Sequence, residues 1–242
     1  MTAPGLGSAV AAELDKLRTL PAMLLAVLGT VLAGAALGSA FAASAVAARV
    51  AFTATDATLA TVPYLQAGML VVGALPFTHE YAGSQIRSTL AAMPQRPRLL
   101  VAKTLSTLMA IGLTAVGTVA ATWAAGAITS RAHGVREGDV VLGSLAGAAG
   151  YLLLMGLLAS GIALLVRHLV PTLVTLLSVV MIASPLLAAQ SEHARWLPDR
   201  AAQQLYAATD AVLTPGTGSL IALTWVVAIG GVAALRFVRR DA

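Results

Sequence analysis

Apolar residues in this chain are gathered into six long runs that carry almost no charge and are separated by shorter polar segments. An α-helix needs about 20 predominantly apolar residues to cross the hydrocarbon core of a bilayer, and each run has that length. The pattern therefore predicts an all-α, polytopic membrane protein with six transmembrane helices in a single domain, residues 1–242. The predicted spans are residues 20–41, 59–77, 100–128, 140–166, 169–189 and 219–237.

The segment before the first span, residues 8–18, has the spacing of a short amphipathic helix. Its apolar residues recur at i, i+4 and i+7 and are Val10, Leu14 and Leu17. Glu13, Lys16 and Arg18 occupy the remaining sides. A helix of this kind is suited to the membrane surface, so we predict an interfacial helix, with a plain solvated helix as the alternative.

The composition excludes most soluble functions. Hydrophobic residues make up 58% of the chain and charged residues 10%, whereas soluble domains average roughly 25% charged residues. So little charge cannot solvate the surface of a globule of this size. A soluble enzyme or a nucleic-acid-binding protein is therefore excluded, despite the net charge of +5. Membrane lipid is an expected partner and nucleic acid is not.

The basic residues indicate how the predicted spans are oriented. Six spans place both termini on one side of the membrane, and ten of the 15 Lys and Arg residues fall in segments on that side. Cytoplasmic loops are enriched in Lys and Arg, so we expect both termini in the cytoplasm. The residue usage, rich in Ala, Gly and Arg with only two lysines, is typical of a GC-rich bacterial genome. The predicted location is the bacterial cell (inner) membrane.

The sequence offers no catalytic or metal site. The chain has no cysteine, and no predicted span carries an Asp, Glu, Lys, Arg or His near its middle. Proton relays in the membrane need such residues, which disfavours a proton-coupled carrier. His79 and Glu80 begin like the zinc-protease pattern His-Glu-x-x-His, but Gly83 stands at its last position. We therefore expect no enzymatic activity and no bound metal.

The link between the second and third predicted spans contains another helical pattern, over residues 79–93. Ile86, Leu90 and Met93 share one face of this predicted helix, and Pro94 ends it. A simple connection between helices needs only about 2–8 residues. The pattern therefore favours a docking element for another protein, with a helix that only anchors the hairpin at the membrane as the alternative.

Three stretches resemble the permease subunits of ABC-2 type transporters, of the actinobacterial-like kind whose ATPase is a separate chain. The leader Glu13-Leu14-Asp15-Lys16-Leu17-Arg18-Thr19 is similar to the family's Glu-x-x-Lys-Leu-Arg-Thr segment. The family's cytoplasmic signature is similar to four parts of this chain: Glu80-Tyr81, Ile86-Arg87-x-Thr89-Leu90-Ala91, Pro94-x-Arg96 and Lys103. The end, Phe237-Val238-Arg239-Arg240-Asp241-Ala242, resembles its Arg-Arg-Asp-Ala-type tail. Many members have Gly-Thr where this chain has Ser84-Gln85.

The resemblance implies that residues 79–93 form a coupling helix that rests in a cleft of a nucleotide-binding subunit. In that reading Tyr81, Ile86 and Leu90 supply apolar contacts, Glu80 and Arg87 supply polar ones, and Arg96 orients the loop at the lipid headgroups. Gly83 and Pro94 belong to the same predicted coupling segment. The implied partner is a separate ABC ATPase in two copies, which binds ATP and Mg. This chain has no Gly-x-x-x-x-Gly-Lys-Ser/Thr phosphate loop, and we expect no cofactor in it.

The family also implies a second permease copy or a homologue, as a homodimer or heterodimer with the substrate path between the two. Two pairs of small residues have the spacing that permits close helix approach, Gly34-x-x-x-Gly38 and Gly143-x-x-x-Gly147. A candidate polar substrate path lies on one face of the third span, at Thr114, Thr118 and Thr122. Hydrogen bonding of these threonines to their own helix is the alternative.

Residues 195–216 form a predicted external helical segment between the last two spans. Pro198 suits a helix start and Gly216 a helix end. In the family this region forms short external or re-entrant helices that cap the path. A surface loop held by aromatic anchors is the alternative.

These observations predict the permease subunit of an ATP-driven exporter that moves an amphipathic drug, a lipid-like molecule or a peptide. One alternative is an exporter for self-immunity against an antibiotic or lantibiotic. Another is a membrane scaffold or sensor subunit that binds a partner and transports nothing.

Overall fold

The structure is a computed structural model that describes residues 5–82, 95–134, 140–207, 210 and 212–239. The regular secondary structure of these residues is helical. We number the α-helices in chain order and treat the apolar helix after Arg167 as one unit. They are α1 Leu6–Thr19, α2 Pro21–Ala48, α3 Ala54–Ala82, α4 Arg96–Ala132, α5 Leu142–Val166, α6 Leu169–Gln190, α7 Pro198–Gln203 and α8 Pro215–Arg239.

Six of these helices, α2 to α6 and α8, are long and apolar enough to cross a membrane, which confirms the six predicted spans. Most extend beyond the predicted bounds; α4, for example, has 37 residues. At 1.5 Å per residue α4 is about 55 Å long, well over the roughly 30 Å of the hydrocarbon core. The hydropathy pattern reports only the apolar part of a helix, whereas its backbone hydrogen bonds continue into the polar ends.

One span is irregular in the middle. The backbone of α6 widens into a π-helical turn over Ser178–Ala183, directly before Pro185. Proline has no N–H to donate to the preceding turn, and a wider turn accommodates the carbonyl that is left without a donor.

The helix α3 is the centre of the bundle. In the most apolar stretch of α3, 61% of the residues are buried, whereas 17% are buried in the corresponding stretches of α2 and α8. Glycines allow the neighbouring helices to approach closely: Gly73 of α3 lies against the backbone of Gly156 on α5. Outer helices leave large apolar side chains such as Leu25 and Leu32 exposed. These exposed faces are suited to contact lipid or another membrane helix.

The N-terminal helix α1 packs against the first part of α4, and its buried stripe is Ala9, Glu13 and Leu17. The sequence pattern placed Glu13 on the polar side of this helix, and that assignment is wrong. Glu13 is buried because lysines on α1 and α4 lie close enough to neutralise its carboxylate.

The segment between α6 and α8 contains a short 3₁₀ helix, Glu192–Trp196, followed by α7. Helix α7 begins at Pro198, as the sequence predicted. The prediction that a helix ends at Gly216 is wrong, since Pro215 begins α8. Proline is well suited to the first position of a helix because the N–H that it lacks has no partner there.

Candidate functional site

The predicted coupling residues are only partly within the described structure. Glu80 and Tyr81 lie at the end of α3, and Arg96 is the half-buried first residue of α4. The other predicted coupling residues lie outside the described residues; they are Gly83, Ile86, Arg87, Leu90 and Pro94. The structure therefore describes both sides of the predicted coupling segment, namely the end of α3 and the start of α4.

Four charged side chains from three helices meet near the end of α3 and the start of α4. We call these four residues the terminal-end cluster: Glu13, Lys16, Glu80 and Lys103. The Glu80 Oε1 atom accepts from Lys103 Nζ at 2.7 Å and from Lys16 Nζ at 3.4 Å. The two carboxylate oxygens of Glu13 are divided between the same lysines, at 2.5 Å to Lys16 and 3.3 Å to Lys103. Each carboxylate thus contacts both ammonium groups, and the four formal charges sum to zero.

Three members of the terminal-end cluster are almost entirely buried. Glu13 is 4% exposed, Glu80 6% and Lys103 7%, whereas the Lys16 side chain is 46% exposed. A buried charge is costly unless a partner of opposite charge and additional hydrogen bonds compensate its lost hydration. The mutual pairing supplies that compensation, so removal of one member leaves the others poorly compensated.

The pKa of Lys16 shows which interaction dominates at the exposed side of the cluster. Partial burial by itself lowers the pKa of this ammonium group. The hydrogen bond and the negative charge of Glu13, together with those of Glu80, outweigh burial and hold the pKa of Lys16 above its usual 10.5. Lys16 therefore stays protonated throughout the physiological range.

Aromatic rings extend the cluster towards the other helices. Lys103 Nζ lies 5.7 Å from the centre of the Phe77 ring, one turn before Glu80 on α3. The guanidinium of Arg167, in the link between α5 and α6, lies 5.0 Å from the centre of the Tyr81 ring. Both distances allow a cation–π attraction. Tyr81 thus connects the end of α3 to the next hairpin of the chain.

A cavity of about 220 Å³ lies beside the terminal-end cluster. Besides the four charged residues it is lined by residues of α1 and α3, among them Leu17, Pro76 and His79, and by Leu20 between α1 and α2. The charged groups are held by contacts between separate helices, so a relative movement of these helices changes the distances between them. The ion pairs of the cluster can therefore lengthen or shorten when these helices move.

Sequence reasoning singled out each member of the terminal-end cluster but did not bring them together. Glu13 and Lys16 were placed on a surface helix, Glu80 on a docking helix and Lys103 near the start of a span. The signal that could have linked them is the lysine count, because Lys16 and Lys103 are the only two lysines in the chain. Arg18, the remaining predicted residue of the interfacial helix, is exposed.

The candidate substrate path on α4 is instead packed against α2. An added Cβ at Gly34 would lie 2.5 Å from Thr122 Oγ1 and 3.1 Å from Thr118 Cγ2, so the two helices are in direct contact at this face. The hydroxyls of Thr114 and Thr122 donate to the carbonyls of Ala110 and Thr118, respectively. This geometry favours the alternative for Thr114 and Thr122, which bond to their own helix, whereas Thr118 Oγ1 has no hydrogen-bond partner within the described residues. Thr118 and Thr122 contribute to the interface between α4 and α2.

A second buried polar group lies at the other end of the bundle, and we call it the opposite-end cluster: Gln66, Tyr151, Ser184, Asp199, Arg200 and Tyr206. The Ser184 hydroxyl donates to Asp199 Oδ2, and Arg200 Nε lies 3.2 Å from Ser184 Oγ and 3.7 Å from Asp199 Oδ2. The Tyr151 hydroxyl donates to Gln66, and the Tyr206 ring packs edge-on against Tyr151. The sequence pattern gave no indication of this cluster.

Asp199 is incompletely paired. It is 5% exposed, and within the described residues its Oδ1 atom has no hydrogen-bond partner. Burial raises the pKa of Asp199 above its usual 3.8, although the hydrogen bond from Ser184 and the charge of Arg200 oppose that effect. Burial likewise raises the pKa of Tyr206 to about 12, since the charge of Arg200 only partly offsets it.

Comparison of the chain with protein-family models gives no match, and comparison with curated proteins gives none either.

Proposed function

We propose that this protein is the membrane-spanning permease subunit of an ATP-driven ABC-2 type exporter, powered by a separate ATPase chain present in two copies. The support is the sequence resemblance of the leader, the signature segment and the C-terminal end, together with the six-span helical architecture. In this proposal both termini lie in the cytoplasm and the protein resides in the bacterial inner membrane. The positive charge of the terminal side supports that orientation.

The observation that carries the proposal is the position of the terminal-end cluster on both sides of residues 83–94. Glu80 precedes this segment by three positions and Lys103 follows it by nine, and the 2.7 Å ion pair between them joins the end of α3 to the first part of α4. Glu13 and Lys16 fasten the same point to α1. A partner that pushes on residues 83–94 therefore displaces α1, α3 and α4 together.

The proposed mechanism is alternating access. Two ATPase subunits close on ATP, and the movement is delivered to residues 83–94 of two permease copies. The buried ion pairs convert that displacement into a joint tilt of α1, α3 and α4, which opens the path between the copies to the outside. This chain contributes binding and mechanical connection, and the partner holds ATP and Mg.

Cargo in this proposal is an amphipathic drug, a lipid-like molecule or a peptide. The exposed apolar faces of α2 and α8 are consistent with contacts to lipid and to a second copy. A self-immunity exporter for an antibiotic differs only in its cargo, whereas a scaffold or sensor subunit binds the ATPase without transport.

Co-purification of the protein with an ABC ATPase from its source cells, followed by ATP hydrolysis in proteoliposomes, tests the proposal. We expect a stable complex whose hydrolysis rate rises with cargo. Arg87→Glu or Leu90→Asp should abolish that stimulation without preventing membrane insertion. Arg131→Glu, at an exposed position in the last turn of α4, is the matched control and should behave as wild type.

Three results would contradict the proposal. They are the absence of any ATPase complex, full stimulation in both Arg87→Glu and Leu90→Asp, and transport that follows the proton gradient after ATP is depleted. A complex without cargo-stimulated hydrolysis or transport would instead indicate the scaffold.

A further inference from the structure

The helix α6 is held against the bundle along only part of its length. Its first part, Leu169–Leu177, packs against α3 and α5. We call residues 178–190 the outer half of α6. Of these residues, all of which the structure describes, only Val180 and Ser184 are buried, and residues 185–190 are exposed without exception. Val180 and Ser184 are four positions apart and share one side of the helix, so the outer half is attached along a single narrow face.

The backbone of α6 is irregular where this change in packing occurs. The outer half begins with the π-helical turn, Ser178–Ala183, and Pro185 lies two positions beyond that turn. Sharp bends in helices occur at prolines and at π-helical turns. The proline also removes one backbone hydrogen bond between the two parts of the helix. The exposed outer half is therefore joined to the packed first part through a turn that is suited to act as a hinge.

The polar attachment of the outer half is Ser184, which is buried between exposed neighbours. Its hydroxyl donates to Asp199 Oδ2 and accepts from Arg200 Nε at 3.2 Å. Asp199 and Arg200 belong to α7, so these bonds connect two separate helices. We call Ser184, Asp199 and Arg200 the latch.

The helix α7, on the other side of the latch, is fixed by close backbone contacts. A Cβ added at Gly147 of α5 would overlap the carbonyl oxygen of Leu205, just after α7. A Cβ added at Gly218 of α8 would overlap the carbonyl oxygen of Ala201, within α7. Surfaces packed this closely have little freedom to shift against one another. The latch therefore joins a weakly attached part of the chain to a firmly held one.

The latch is incompletely satisfied when it is closed. Asp199 is buried, and its Oδ1 atom has no hydrogen-bond partner within the described residues. A buried polar atom without a partner loses its hydration and gains no bond in return. Separation of Ser184 from Asp199 would let water reach this carboxyl group. Part of the cost of opening the latch is therefore recovered as hydration.

Free space lies directly beside the latch, in a cavity of about 530 Å³. Ala188 of the outer half forms part of its wall, and Arg200 and Gln203 of α7 form another part. Because Arg200 belongs both to the latch and to this wall, a movement of the outer half changes the width of the cavity.

We propose that the outer half of α6 is a gate, which turns about the π-helical turn and is held closed by the latch. In the closed position Ser184 bonds to Asp199 and Arg200. In the open position the outer half swings away from α7 and widens the cavity beside Arg200. The gate is a property of this chain alone and does not rest on the proposed exporter function. In an exporter of the proposed orientation it lies on the outer side of the membrane.

Distances between pairs of spin labels, measured by pulsed electron paramagnetic resonance in lipid nanodiscs, test this proposal. The chain has no cysteine, so introduced cysteines are its only labelling sites. The gate pair is Leu187→Cys on the outer half and Leu220→Cys on α8, both at exposed positions. The reference pair joins Val174→Cys, on the packed first part of α6, to the same position on α8. We expect a major and a minor distance for the gate pair, and one distance for the reference pair.

Two serines of α6 supply the decisive variant and its matched control. Ser184→Ala removes the hydroxyl of the latch and should raise the ratio of the minor to the major distance about three- to tenfold, the range expected for one hydrogen bond. Ser178→Ala is the same substitution at an exposed position of the same helix and should leave the ratio unchanged. Chains that carry only Leu187→Cys identify any distance that arises between two copies.

An unchanged ratio in Ser184→Ala would overturn the proposal. An equal change in the reference pair would also overturn it, because the whole of α6 would then move as one body. If Ser184→Ala does not fold, Arg200→Gln tests the latch from α7 and should likewise raise the ratio, and a wild-type ratio there would overturn the proposal. None of these measurements requires an ATPase, so failure of the gate and failure of the exporter proposal are separate results.

Discussion

The two buried polar clusters of this protein differ in how completely their charges are paired. In the terminal-end cluster each carboxylate contacts two lysines, and two of the four ion pairs join residues 64 and 90 positions apart in the chain. In the opposite-end cluster Asp199 contacts Ser184 and Arg200, 15 positions and one position away, and one carboxylate oxygen has no partner among the residues that the structure describes. The first cluster joins distant helices, whereas the second holds one local segment against the bundle.

This difference shows what a buried charge can do in a bundle whose spans are otherwise apolar. Balanced long-range pairs make the relative positions of α1, α3 and α4 interdependent, because displacement of one helix exposes a partner charge on another. An incompletely paired acid makes the local stability depend on pH instead. In the proposed mechanism the mechanical role therefore belongs to the terminal-end cluster.

Loss of Lys103 should have the largest effect on stability. Lys103→Met removes the buried cation shared by Glu13 and Glu80 and leaves both buried carboxylates with Lys16 alone. Breaking a buried ion pair by removal of one partner costs about 3–5 kcal/mol. Unfolding by denaturant in bicelles measures that loss.

The other lysine is the matched control for this prediction. Lys16 is nearly half exposed, and exposed ion pairs contribute about 0–1 kcal/mol. Lys16→Met should therefore lower the free energy of unfolding much less than Lys103→Met. Equal losses in the two variants would contradict the assignment of the buried cation as the centre of the cluster.

A double-mutant cycle on Glu80 and Lys103 should give an intermediate effect. Glu80→Gln and Lys103→Met, combined in one chain, should destabilise less than the sum of the single variants, with an interaction energy of about 1–3 kcal/mol. The reference cycle is Glu192 and Arg195 at the opposite end, whose glutamate is 89% exposed. That pair should couple by less than about 0.5 kcal/mol, and equal coupling in both cycles would remove the contrast between the two ends.

The smallest effect is expected at Asp199, and it depends on pH. Because the pKa of Asp199 is raised in the folded protein, the folded state holds a proton that the unfolded state releases above pH 3.8. Stability therefore falls as the pH rises from the unfolded pKa to the folded pKa. Asp199→Asn should remove this decline while changing stability at low pH by less than about 1 kcal/mol.

Unfolding free energies measured from pH 4 to pH 7 check the Asp199 prediction. Glu192→Gln, at an exposed position, should keep the wild-type pH dependence. A decline that is unchanged in Asp199→Asn would show that another group is responsible for it.

The architecture was predictable from the sequence because a bilayer span is specified locally, by about 20 apolar residues in a row. The terminal-end cluster was not predictable, because two of its four ion pairs connect positions 64 and 90 residues apart and no local pattern records which helices meet. The rule that places charge on the outer face of an amphipathic helix failed at Glu13 for the same reason.

The efficiency of coupling in proteoliposomes tests the central claim most directly. It is measured as the cargo moved per ATP hydrolysed by the complex of this chain with the proposed ATPase. Glu80→Gln should lower that ratio about tenfold, within the range of typical coupling free energies, while ATP hydrolysis continues. Glu192→Gln is the same substitution outside the terminal-end cluster and should leave the ratio unchanged. A wild-type ratio in Glu80→Gln, from a folded complex that hydrolyses ATP, would contradict the claim that the cluster transmits the motion of residues 83–94.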